Sequence, residues 1–189
     1  MKENALNGSG NYVYGILKKG MYKSPFLGYK CKAPKGALFS MEDDLLRMSG
    51  INPTLREMNP AEFRNAYFSG KGVMDMFLTL SSGSSVAVYW QYYPAAGHGS
   101  MDVAQLVAER QITVNREKGW TVEDTVYPAE IMGRVFKGIT SDYVNDWGYS
   151  EYMKEYFYEC PNGMITVNFK MSRQNLSDAD LLFKLLKKI

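Results

Sequence analysis

With 189 residues, 46% of them hydrophobic and 14% aromatic, the chain holds enough apolar material for one domain whose core closes without metal or disulfide. Its 22 Lys and Arg against 20 Asp and Glu leave a net charge of +2 with no basic run, which argues against a dedicated nucleic-acid binder. No apolar stretch approaches the ~20 residues of a membrane-spanning helix.

In chain order, residues 1–10 are polar and rich in Asn, Gly and Ser, and read as a flexible leader or tether ahead of a single domain over 11–189. The leader has no apolar core of the kind a signal peptide needs. It fits either a cytoplasmic protein or one whose export segment was removed ahead of Met1, possession of which would place the protein outside the cytoplasm on a lipid tether. A strand is expected over Tyr12–Lys18, then a turn at Gly20, a short extended piece through Phe26, and a strand over Tyr29–Ala33 that stops at Pro34-Lys35-Gly36. Ser40, followed by Glu42 and Asp43, predicts a capped helix that runs to Met48 and stops at Gly50. Asn59-Pro60-Ala61-Glu62 opens another short helix, with proline at its first position.

The clearest hairpin follows: Val73–Leu80 and Ser85–Tyr93 around the turn cluster Ser81-Ser82-Gly83-Ser84. Strict alternation would put Met74, Met76, Leu78 and Leu80 on one face and Val73 and Phe77 on the other. Both faces are then apolar, so both must be covered. A helix of about four turns is expected after Ser100, with Val103, Leu106, Val107 and Val114 as its apolar side. Strands are expected near Thr121–Tyr127, Ile131–Val144, Tyr149–Glu159 and Met164–Met171, the last two joined by the turn Cys160-Pro161-Asn162-Gly163. Ser177 with Asp180, and Leu176 against Leu181, predict a capped C-terminal helix whose stripe runs from Leu181 to Ile189. Sequential hairpins without alternating βαβ units define an α+β class: a largely antiparallel sheet flanked by helices on both faces, an α/β/α sandwich.

The segment Gly20–Phe39 (GMYKSPFLGYKCKAPKGALF) resembles the opening of PsbP-like domains, the PsbP/Mog family, and the order of elements after it is similar as well. The resemblance spans roughly residues 11–189 and rests on pattern and order. It implies a non-enzymatic fold, whose family includes an extrinsic subunit of photosystem II, a Ran-binding nuclear-transport factor and short lipoproteins of the bacterial cell envelope. It brings no set of catalytic residues, and the residues themselves point to no metal and no cofactor. Its implied partner is a protein or a component of the cell envelope.

Other motifs carry chemistry of their own. The loop Pro94–Asp102 contains His98, the only histidine, within a G-x-G-x-x pattern, but Asp102 stands where a dinucleotide-binding loop has its third glycine. His98 has the right intrinsic pKa for the general base of a hydrolase, yet two flanking glycines give it a loose mount, and an exposed loop histidine is the plainer reading. Gly70-Lys71-Gly72 lacks the remainder of a phosphate-binding loop. Asp142, Asn145 and Asp146 offer oxygen ligands, without the spacing of a calcium loop, and turn formation explains them more simply. Cys31 and Cys160 lie too far apart for a zinc-type pair; they either close a long disulfide loop or stand as buried free thiols. The remaining candidate surface is aromatic. Trp147 and Tyr149 are expected at a hairpin tip, with Tyr143 and Tyr152 on the strands beside it, as a site for a protein partner or, alternatively, a stacking platform for sugars.

Overall fold

The computed structural model describes residues 12–67, 72–92 and 102–189. The leader, the Gly70-Lys71 pair and the loop that carries His98 lie outside them.

The strands of the described residues form two antiparallel sheets. The larger joins β4 (Leu38–Phe39), β5 (Val73–Thr79), β6 (Ser85–Tyr92), β11 (Gly163–Met171), β10 (Ser150–Cys160), β9 (Arg134–Val144) and β7 (Thr121–Val122) in that spatial order, with β8 (Tyr127–Ile131) also paired to β9. The smaller is β1 (Ile16–Lys18), β2 (Met21–Ser24), β3 (Tyr29–Lys32) and β12 (Leu186–Lys188). Short turns set the register. Cys160 faces Gly163 across a two-residue loop, and Ile131 faces Arg134 across Met132-Gly133, both at positive φ (56° and 69°). That pair of left-handed residues is what a tight, twist-compatible hairpin turn requires.

The two faces of the large sheet are covered differently. On one lies α4 (Val103–Glu117), which packs Ala104, Ala108 and Ile112 against Ile139, Phe157 and Met164. Asp102 caps this helix, accepting the Gln105 amide at 3.0 Å. The acid that spoils the dinucleotide-loop pattern is therefore the N-cap, whose oxygen satisfies an orphan amide of the first turn. Beneath α4, Asn115 donates to Glu155 (2.5 Å) and to Ser141 (3.0 Å), and burial raises the Glu155 carboxyl above its usual range. The opposite face holds the main core: Val73, Met76, Val88, Trp90, Tyr156, Val167 and Phe169. Its cover is mixed. Tyr22, Tyr29, Cys31 and Leu186 of the small sheet pack there together with Leu46 of α1 (Glu42–Met48) and Leu182 of α5 (Asp178–Leu185). The expected pair of helical layers thus becomes one helix on one side, and a second sheet with short helices on the other.

Three local expectations change for physical reasons. Ser40 is not the cap of α1: Met41 holds that position, while the Ser40 amide bonds to the Phe77 carbonyl and extends the β4–β5 pairing. The C-terminal helix stops at Leu185, and Ser177 makes no side-chain cap bond. Leu186 leaves the helix to pair with Cys31, so the end of the predicted stripe becomes strand β12, which covers the open edge of β3. The alternation of β5 is broken by a bulge between Met74 and Met76. The extra residue is Asp75, and it moves Val73 onto the face of Met76 and Leu78 in the main core. Two further short elements, β4 and α2 (Leu55–Met58), went unread in the sequence. By contrast α3 (Pro60–Tyr67) begins as expected: Asn59 Oδ1 accepts the Glu62 amide, and its Nδ2 donates to the Glu62 carboxylate. Cys31 and Cys160 are free and buried, and burial pushes each thiol up to about 12.

Candidate functional site

The longest strands, β9 and β10, run together from Lys137↔Phe157 to Val144↔Ser150, and the tip beyond that last pair is residues 145–149. Asn145 organises it. Its amide donates to the Tyr149 carbonyl (2.9 Å), its carbonyl accepts the Gly148 amide (3.0 Å), and its side-chain Oδ1 accepts the amides of Trp147 (3.1 Å) and Tyr149 (2.9 Å). Gly148 takes φ +79°, a conformation that costs glycine nothing and a residue with a Cβ about 1–2 kcal/mol. A short asparagine thus satisfies the loop backbone, leaving the side chains free to face outward. Trp147 is 94% exposed and Tyr149 57%.

Tyr149 is held from its polar end. Its hydroxyl donates to Glu151 Oε1 (3.0 Å), the same oxygen that receives Lys170 Nζ at 2.5 Å. The acceptor raises the Tyr149 hydroxyl above its usual value, because a phenolate there would face a carboxylate. Beside this group opens a recess of about 150 Å³, bordered by Tyr149, Glu151 and Lys170 and by Ser82, Ser85 and Ser172. Arg173 closes on Asp142 with two nitrogens, Nε at 3.3 Å, so this acid is engaged in an ion pair.

The four aromatic residues read from the sequence separate into two groups. Trp147 and Tyr149 share the tip. Tyr143 and Tyr152 point to opposite faces of the sheet: Tyr143 packs on Trp120 of the α4 side (ring centroids 5.4 Å apart), and Tyr152 packs, half-buried, against the main core. Burial raises the Tyr152 hydroxyl.

Sequence reasoning passed over a large buried polar cluster centred on Asp75. Asp75, at the β5 bulge, has no exposed surface. Tyr12 Oη donates to its Oδ1 (2.7 Å), Tyr29 Oη to its Oδ2 (2.5 Å) and Ser24 Oγ to Oδ1 (3.3 Å). Tyr22 Oη donates to the Asp75 carbonyl (2.5 Å), the backbone group that the bulge removes from the strand ladder. Burial pushes the carboxyl up to about 6 against the pull of these donors, and the same burial, with the carboxylate beside them, raises the tyrosines. A perturbed buried acid is a candidate catalytic group only where a substrate can reach it. Here hydroxyls from β2, β3 and the segment before β1 occupy its acceptor sites, and the cluster works as the polar rivet between the two sheets. The available signal was one acid inside an otherwise apolar strand, Val73-Met74-Asp75-Met76-Phe77-Leu78.

Among the described residues no group of three or more His, Cys, Asp and Glu is placed to hold a metal ion, and no helix is long and apolar enough to cross a membrane. No family model and no curated protein matches the chain. Solved structures to which it is similar include the cyanobacterial PsbP (CyanoP) of Synechocystis sp. PCC 6803, at 15% identity over 86% of this chain and 87% of that one, with a TM-score of 0.47. Another is LpqN of Mycobacterium tuberculosis, a protein involved in cell envelope biogenesis, at 9% identity over 84% and 82% of the two chains, also with a TM-score of 0.47. The first bears the name of the family that the Gly20–Phe39 segment resembles. Similarity at this level leaves the function to be read from the chain's own residues.

Proposed function

We propose that this chain is a non-enzymatic binding or accessory module of the cell envelope, held outside the cytoplasm by a tether, and that it engages a protein or envelope component through the Trp147 hairpin tip. The observation that carries the reading is the combination of a nearly fully exposed Trp147 with a backbone pinned by Asn145. An indole left in water at a fixed position is ready to bury its area on a partner with little ordering cost, which is the profile of an interface anchor. The sequence resemblance to PsbP-like domains supports the extracytoplasmic setting.

Site-specific photo-crosslinking in the native cell tests this. A photoreactive side chain at position 147 is expected to give a discrete adduct, and the same probe at Leu106, exposed on α4, is expected to give none. Equal labelling from both positions, or none from 147, would remove the proposal.

A second reading is favoured by the recess beside Tyr149, whose serines and Glu151–Lys170 pair suit a sugar edge while Trp147 and Tyr149 supply stacking faces. Titration of soluble glycans against tryptophan fluorescence separates the two. Trp90 is buried and Trp120 half-buried on the α4 side, so a saturable spectral change that disappears in Trp147→Ala belongs to the tip and points to sugar. Silence across a broad panel points back to a protein partner.

A further inference from the structure

The outer face of the small sheet carries a feature that the hairpin tip does not use. Its strands read Ile-Leu-Lys, Met-Tyr-Lys-Ser, Tyr-Lys-Cys-Lys and Leu-Lys-Lys, with six lysines and no acidic residue. Register sorts them. Tyr22, Cys31 and Leu186 face the core, so their neighbours in sequence face outward: Ile16 lies opposite Lys23, Lys23 opposite Lys30, and Lys30 opposite Lys187. Three lysines thus stand side by side across three strands, with side chains rooted about 5 Å apart. Lys18 and Lys32 flank the row on the same face, on either side of Met21. None of these lysines forms an ion pair among the described residues.

Like charges directly opposite one another destabilise a sheet, so nothing in the packing calls for this row. An anionic plane would relieve it. The face offers lysine, a compact point charge on a flexible stem, and no arginine fork for bidentate phosphate recognition. It also offers no exposed aromatic platform on which single-stranded bases would stack. At the free edge of the sheet, in line with the lysine row, Ile16 is 66% exposed, and Val13 just before it is 60% exposed. Aliphatic side chains beside a flat field of lysines match the boundary between headgroups and acyl chains of an acidic bilayer.

We propose that the outer face of the small sheet is a docking surface for an anionic lipid bilayer, with Lys23, Lys30 and Lys187 at the level of the phosphates and Ile16 in the interfacial apolar layer. The surface orients the domain on a membrane, independently of what the Trp147 tip binds.

Co-sedimentation of the full chain with vesicles of phosphatidylcholine, alone or mixed with phosphatidylglycerol, tests it. Binding is expected only to the mixed vesicles and weakens as salt rises. The triple variant K23Q/K30Q/K187Q is expected to lower partitioning on the order of a hundredfold, since each lysine near an acidic surface is worth roughly a factor of five. The corresponding triple arginine variant keeps the binding. Ile16→Ser lowers it severalfold with the charges intact, which keeps the proposal open to refutation should the triple variant fold poorly. Equal binding to both vesicle types, or unchanged binding by the glutamine variant, overturns the proposal. So does binding to soluble polyphosphate without binding to vesicles, which would assign the face to a polyanionic polymer.

Discussion

The Asp75 cluster and the Trp147 tip use the same device in opposite directions. In each, the side-chain oxygen acceptors of one residue gather several donors that regular strand pairing leaves unmatched. At the bulge the gathered groups are hydroxyls from other strands, and the result draws two sheets together in the core. At the tip they are the loop's own amides, and the result pushes an indole into water. Long-range donors make an acceptor architectural. Local donors leave it to present what stands beside it. The two regions should therefore respond to mutation in different observables.

The largest effect is expected at Asp75. Asp75→Ala leaves the hydroxyls of Tyr12, Tyr29 and Ser24 buried without their acceptor and should cost about 3–5 kcal/mol of stability in urea unfolding. Asp75→Asn retains an acceptor and should cost less. A loss under ~1 kcal/mol for the alanine variant would mean that the sheets are held by apolar packing alone.

The pH profile sharpens the same point. Asp75 keeps its proton in the folded state up to about 6, whereas an unfolded aspartate loses it near ~3.9. The fold thus binds the extra proton between these values. Its contribution is fully present below the unfolded pKa and is lost as pH rises through the folded one. Stability should fall by on the order of 2–3 kcal/mol across that window. Chemical denaturation at a series of pH values should show this slope, and Asp75→Asn should flatten it.

At the tip the expected effects on stability are small. Asn145→Ala removes the acceptor for two exposed amides and should cost about 1 kcal/mol, seen as faster hydrogen exchange at Trp147 and Tyr149 with the core amides unchanged. Trp147→Ala should move the melting temperature by no more than an exposed substitution does, within about 0.5 kcal/mol. A larger loss would show the indole to be part of the fold and not a presented group.

How much of this was legible in the sequence depends on how local the cause is. The α4 helix, the Cys160–Gly163 hairpin and the tip carrying Trp147 rest on signals within a few residues: a capping acid, a proline-asparagine turn, an asparagine ahead of a glycine. The bulge was not legible because a two-residue period assumes an unbroken ladder. Asp75 finds its donors 46 to 63 residues away. The end of the C-terminal helix was misread for a similar reason. Leu182, Leu185 and Leu186 satisfy a helical stripe, and only the open edge of β3 makes Leu186 a strand residue. The lysine row is the extreme case: Lys23, Lys30 and Lys187 are scattered through a chain with no basic run, and register alone assembles them.

Photo-crosslinking from position 147, with and without Asn145→Ala, tests most directly the proposal that the Asn145-braced tip is the binding surface. One discrete adduct is expected from the parent chain, with a several-fold lower yield in the variant at a melting temperature lowered by no more than a few degrees. An adduct yield from 147 no higher than that from 106, or one indifferent to Asn145, would contradict it.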